Sequence, residues 1–114
     1  MDTTRWETRT PDIVADVWLY STDEGGRASP MSLGYGCSCF AANDFAAGGW
    51  DARLQLGDAV FAPGTNRRVG FVFLSGREAA EVMWEAGRFF LWEGRFIGEA
   101  TVVSTGSWPV SPDM

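Results

Sequence analysis

The residues able to do chemistry in this chain are few, and their types narrow the options. There is no His and no Lys. Without His there is no His-based nucleophilic triad and no imidazole for a metal. Without Lys there is no phosphate-binding P-loop. Gly25-Gly26 lacks the strand-to-helix setting of a phosphate cradle and reads as a turn. The two thiols, Cys37 and Cys39, form Cys-x-Cys. On one strand they share a face, with about 6.6 Å between them along it. That spacing suits a disulfide poorly, and the pair reads as two buried or half-buried thiols. A structural zinc site wants four ligands, so these two Cys would need carboxylates or a second subunit to complete it. Acid-base catalysis needs two carboxylates in a cleft with pKa values pushed apart. Glu24 and Glu93 are the best candidates, yet each falls in a turn, where a solvated acid is ordinary. The reading is a domain that is not an enzyme, with no catalytic residues, no metal and no cofactor.

Charge points the same way. Fifteen acids face nine Arg, a net charge of −6. Nucleic-acid binders normally carry a basic footprint, and none is visible in bulk. Local basic spots remain at Arg27, Arg95 and the Arg67-Arg68 pair. No run of apolar residues is long enough to cross a membrane, and the start is polar and acidic, unlike a signal peptide. A cytoplasmic location is the resulting expectation.

At 114 residues a single domain is expected. Residues 1–11 are polar and aperiodic and read as a flexible segment. Ile13 to Tyr20 alternates, with Ile13, Ala15, Val17 and Leu19 on one face. That is strand periodicity. Gly34 to Ala42 reads as a second strand, and Asn43 to Gly49 as a loop. Trp50 to Leu56 alternates again. Ala59 to Phe61 is a short strand ended by Pro63-Gly64. Arg67 to Leu74 reads as a strand buried on both faces.

The period then changes. Ser75-Gly76-Arg77-Glu78 matches a capping box. Ala79, Val82, Met83 and Ala86 follow at helical spacing, and Gly87 is a natural stop. A helix near 76–86 is expected. Arg88 to Trp92 and Phe96 to Val103 are the last strands, joined by a tight Glu93-Gly94-Arg95 reversal. Residues 104–114 read as a tail in which Trp108 and Val110 could dock on the body. Six Trp and eight Phe leave two uses open: packing, and anchoring another protein.

Three stretches, in order, resemble the third, C-terminal domain of bacterial elongation factor Tu. The first is Ala15 to Tyr20, Glu24-Gly25-Gly26-Arg27, Pro30 and Gly34-Tyr35. The second is Pro63-Gly64-Thr65-Asn66. The third is Arg88 to Ala100, similar to the family's closing hairpin. The resemblance covers residues 12–103 and implies an all-β domain, a six-stranded antiparallel Greek-key barrel, here without a GTPase domain. It also implies a binding platform, since the family's domain touches the T arm of aminoacyl-tRNA and packs on protein partners. The positions matching the tRNA-contacting region are Arg27 to Ser29 and the hairpin Gly94 to Gly98.

The departures matter. The family's Tyr-Arg-Pro-Gln is Tyr35-Gly36-Cys37-Ser38 here, and the Arg of its Arg-Glu-Gly turn is Trp92. Cations for phosphate contact give way to apolar surface. The expected activity is therefore protein binding by a translation-factor-like module, with a second copy of the chain as one possible partner. Residual tRNA or rRNA binding through Arg27 and Arg95 is the alternative, disfavoured by net charge. The expected partner-binding rim is Arg27, Tyr35, Trp92, Arg95 and Phe96. Trp92 stands out, because a bulky ring beside a turn needs a cover.

Overall fold

In the computed structural model, residues 5–106 can be described. Six strands form a closed antiparallel barrel. They are β1 (Ile13–Leu19), β2 (Gly36–Phe40), β3 (Gly49–Gln55), β4 (Asn66–Phe73), β5 (Arg88–Trp92) and β6 (Phe96–Thr105). Around the barrel the order is β1-β4-β3-β2-β5-β6, with β6 returning to β1. β2, β3 and β4 make a meander and β1 lies beside β4, which is a Greek-key arrangement. The all-β barrel expected from the sequence is the observed fold.

Alternation builds the wall. Ile13, Ala15, Val17 and Leu19 point inward from β1 and meet Leu54, Val69, Phe71, Phe89 and Leu91 in one core. Cys37 and Cys39 also face this core, as free thiols. Phe71 and Phe89 meet edge to face, with ring centroids 5.0 Å apart. Val72 is buried on the other face of β4, but Leu74, just past the strand, is 69% exposed. The expectation of burial on both faces thus holds only at Val72: on the outer face Arg68 is exposed and Gly70 half-buried.

The helix α2 runs Arg77–Ala86. It packs against β1, β4, β5 and β6 at the end where β4 stops and β5 begins. Ala79, Ala80 and Met83 are buried beneath it. The capping box does not form. Gly76 is the N-cap and no side chain caps the helix. The reason lies in the turn before it: the Gly76 amide closes on the Phe73 carbonyl at 3.0 Å. That turn takes up Ser75 and starts the helix one residue late.

Three other expectations shift. Ala59 to Phe61 is not a strand. It makes a single bridge between Met31 and Phe61, where two loops cross at the end of the barrel opposite α2. Gly34 and Tyr35 belong to a turn, closed by the Tyr35 amide on the Ser32 carbonyl at 3.0 Å, so β2 begins at Gly36. β6 continues to Thr105, since Ile13 pairs with it. Arg5–Thr8 form one helical turn, α1. The Glu7 carboxylate accepts from the Gly57 amide at 3.1 Å, and the Gln55 amide group donates to the Arg9 carbonyl at 2.8 Å. These bonds lay the N-terminal segment on the barrel. Trp108 and Val110 fall outside the described residues.

Candidate functional site

The five rim residues named from the sequence gather at one place, around the β5–β6 reversal. The Glu93 amide bonds the Arg95 carbonyl at 2.8 Å, and Trp92 is paired with Phe96. Gly94 adopts φ 75° in the turn, a left-handed conformation that side chains resist. This reversal sets Trp92, Glu93, Arg95 and Phe96 on the barrel end opposite α2.

Arg27 and Tyr35 reach the reversal from two other loops. Both hydrogen-bond the same oxygen, Glu93 Oε1. The Arg27 guanidinium also lies 4.7 Å from the Tyr35 ring centroid, within cation–π range. Its Nε donates to the Ser29 carbonyl at 3.0 Å, and Nη2 approaches Ser29 Oγ and the Pro30 carbonyl at 3.4 Å each. Every nitrogen of Arg27 therefore has an acceptor inside the protein. The loop carrying Arg27 is held tightly: a Cβ on Gly26 would lie 2.0 Å from the Tyr20 carbonyl oxygen, so only Gly fits. Burial, then Cys37 and Glu93, push the Tyr35 phenol far above its ordinary range.

Arg95 differs from Arg27. It is exposed, with no side-chain bond to any described residue. Arg27, Arg95, Glu93, Thr22 and Ser29 border a groove of about 400 Å³. Glu24 does not line it and instead accepts from Ser21 Oγ at 2.9 Å. The two carboxylates singled out in the sequence thus do not share this groove. Among the described residues, no group of three His, Cys, Asp or Glu is placed to hold a metal.

The other half of the site is aromatic and lies outside the barrel wall. Cys39 faces the core, so its neighbour Phe40 faces outward, yet Phe40 is buried. What buries it is a satellite cluster. Phe40 lies 5.4 Å from Phe96, 5.5 Å from Phe45 and 6.2 Å from Trp92, centroid to centroid. Phe90 joins through Phe96 at 6.3 Å. Phe45 is the residue that the sequence did not single out. It sits in a single 3-10 turn, Phe45–Ala47, capped by the Asp44 side chain. The loop folds back over the sheet and lays the Phe45 ring on Trp92. The ring is nevertheless 62% exposed. The only signal in the sequence was a lone aromatic among small and polar loop residues.

Beside Trp92 the outer face continues across three strands. Ser38 pairs with both Trp92 and Asp51, and the Leu74 amide bonds the Asp51 carbonyl. The Ser38 hydroxyl donates to Asp51 at 2.8 Å. Trp92 and Leu74 thus flank a shallow groove of about 350 Å³. Fold and site define a closed antiparallel barrel with an exposed aromatic and aliphatic surface beside a fixed ionic knot. No protein-family model matches the chain, and no curated protein matches it significantly.

Proposed function

We propose that this domain is a non-catalytic protein-binding module, and that its docking surface is the rim with Trp92 at the centre. The observation that carries this reading is the exposure of Phe45 and Leu74 on either side of Trp92. Large apolar groups around a half-buried Trp make an anchor site. The ionic knot of Arg27, Tyr35 and Glu93 supports it from behind. A partner protein that inserts an apolar side chain between Trp92 and Leu74 fits this surface. The resemblance to a translation-factor platform adds to the reading. RNA is the weaker fit because Arg27 is engaged internally, which leaves Arg95 as the open cation of the rim.

The test is a pull-down from a lysate of the source cells with wild type, Trp92→Ala and an Arg27→Ala/Arg95→Ala double variant. Expected is a protein that binds tolerantly of salt and is lost with Trp92→Ala, a change of about 2 kcal/mol or more. Recovery of tRNA or rRNA that falls steeply with salt and vanishes in the Arg variant would overturn the reading. Light scattering on the purified chain tests whether a second copy takes the partner's place.

A further inference from the structure

The outer surface of β4, β1, β6 and β5, away from the rim, carries two aligned rows of side chains. In the first row Arg68, Asp16, Thr101 and Arg88 follow one another across four strands. In the second, Asn66, Trp18 and Glu99 do so across three. Ala15, Val17 and Leu19 point into the core, so both rows face outward. They line an open groove of about 730 Å³. Trp18 is half-buried in it, with Asn66 opposite on one neighbouring strand and Glu99 on the other.

Four of the five charges that line this groove stand in pairs. Asp16 receives two bonds from Arg68, at 2.8 and 3.1 Å. Arg88 bonds Glu99. Arg67 borders the same groove, but it stands opposite inward-facing Val17. Its guanidinium bonds the Ala59 and Leu56 carbonyls at 2.8 and 2.6 Å. A phosphate at Arg68 or Arg88 would therefore lie beside the carboxylate that the guanidinium already binds. A neutral ligand meets no such conflict.

We infer that this groove binds a neutral polyhydroxylated ligand, a carbohydrate, over Trp18. Sugar hydroxyls both donate and accept, and vicinal hydroxyls match the planar forks of carboxylate, amide and guanidinium. Asp16, Glu99, Asn66, Arg68, Arg88 and Thr101 supply both kinds of partner around one indole. The indole supplies an apolar body for the C–H face of a sugar ring. The ion pairs hold the polar side chains in place beforehand, which lowers the ordering cost of binding. Tyr20, just past the end of β1, feels the charges of Glu99 and Arg88. None of the five rim residues lines this groove, and the inference does not rest on the proposed protein binding.

The experiment is a titration of isotope-labelled protein, following the Trp18 indole N–H by NMR. Trp18→Phe identifies that signal by its absence. The probes are glucose, galactose, mannose, N-acetylglucosamine and their linked dimers, each to tens of millimolar, with inorganic phosphate as a separate arm. Expected is a saturable movement with at least one sugar. Asp16→Asn and Glu99→Gln, each confirmed as folded by its own spectrum, should weaken it by about tenfold or more. No movement with any sugar overturns the inference. So does saturation by phosphate tighter than by any sugar, or a sugar response undiminished in both variants.

Discussion

Phe45 lies on Trp92 with ring centroids 5.1 Å apart and planes inclined at 48°. One ring comes from a loop without a buried side chain, the other from the end of β5. A tilted aromatic pair contributes about 0.5–1.5 kcal/mol beyond its buried area. Phe45→Ala and Trp92→Ala should therefore be non-additive, with a coupling of about that size in urea unfolding. Strict additivity would mean that Phe45 merely rests on the surface.

Asp12 should be the most sensitive carboxylate of the fold. It is 4% exposed and accepts from the Phe73 amide at 2.9 Å. Asp12→Ala leaves that amide unpaired and should cost about 1–3 kcal/mol. Asp12→Asn keeps an acceptor and should cost less. Equal losses for the two variants in chemical denaturation would show that the bond to Phe73 is not what counts.

Alkaline pH should loosen the domain through its tyrosines. Burial, then Cys37 and Glu93, raise the native pKa of Tyr35, and burial and Glu99 raise that of Tyr20. In the unfolded chain a phenol ionises near pH ~10. The native state thus holds its protons longer, and their stabilisation is complete below that pH. It is lost as pH climbs above about 10 toward the native values. Urea midpoints measured from pH ~8 upward should fall beyond ~10, and Tyr35→Phe should flatten the fall. An unchanged slope in that variant would contradict the assignment.

The thiols should be inert while the barrel is closed. Cys39 is fully buried, and burial, reinforced by Cys37, pushes its thiol well above the ordinary value. Because the thiolate is the reactive form, iodoacetamide should leave Cys39 unmodified in the native protein and label it in urea. Native labelling detected by mass spectrometry would mean that the wall opens there.

What was legible in the sequence follows the strength of local periodicity. Ile13 to Leu19 alternates cleanly because one face of β1 is core and the other is groove, so its bounds and burial were readable. Ala79 and Met83 announced the helix for the same reason. Ser75 misled, because the fate of its hydroxyl depends on how β4 ends, a tertiary matter. Ala59 to Phe61 has strand composition, but only Met31 is there to pair with it. Gly marks the turns beside Arg27, Tyr35, Trp92, Arg95 and Phe96, but their grouping at one rim came from the family resemblance and not from local pattern. Phe45 could not be read, because its place depends on a loop folding back onto a sheet face. The Trp18 groove was equally hidden: Asp16 and Trp18 are only the second face of an alternating strand until register sets Arg68, Asn66 and Glu99 beside them.

The pairing of Ile13 with Thr105 has a mechanical consequence. β1 enters the barrel and β6 leaves it at the same end, and the Gly106 amide bonds the Asp12 carbonyl at 3.1 Å. Antiparallel ladder bonds lie perpendicular to the strands. A tension pulling residues 12 and 106 apart would therefore act along the terminal rung of the β1–β6 seam rather than across all its rungs together. The rungs would break one after another from Ile13 toward Leu19, as a zipper opens. The barrel would yield at low force along that seam.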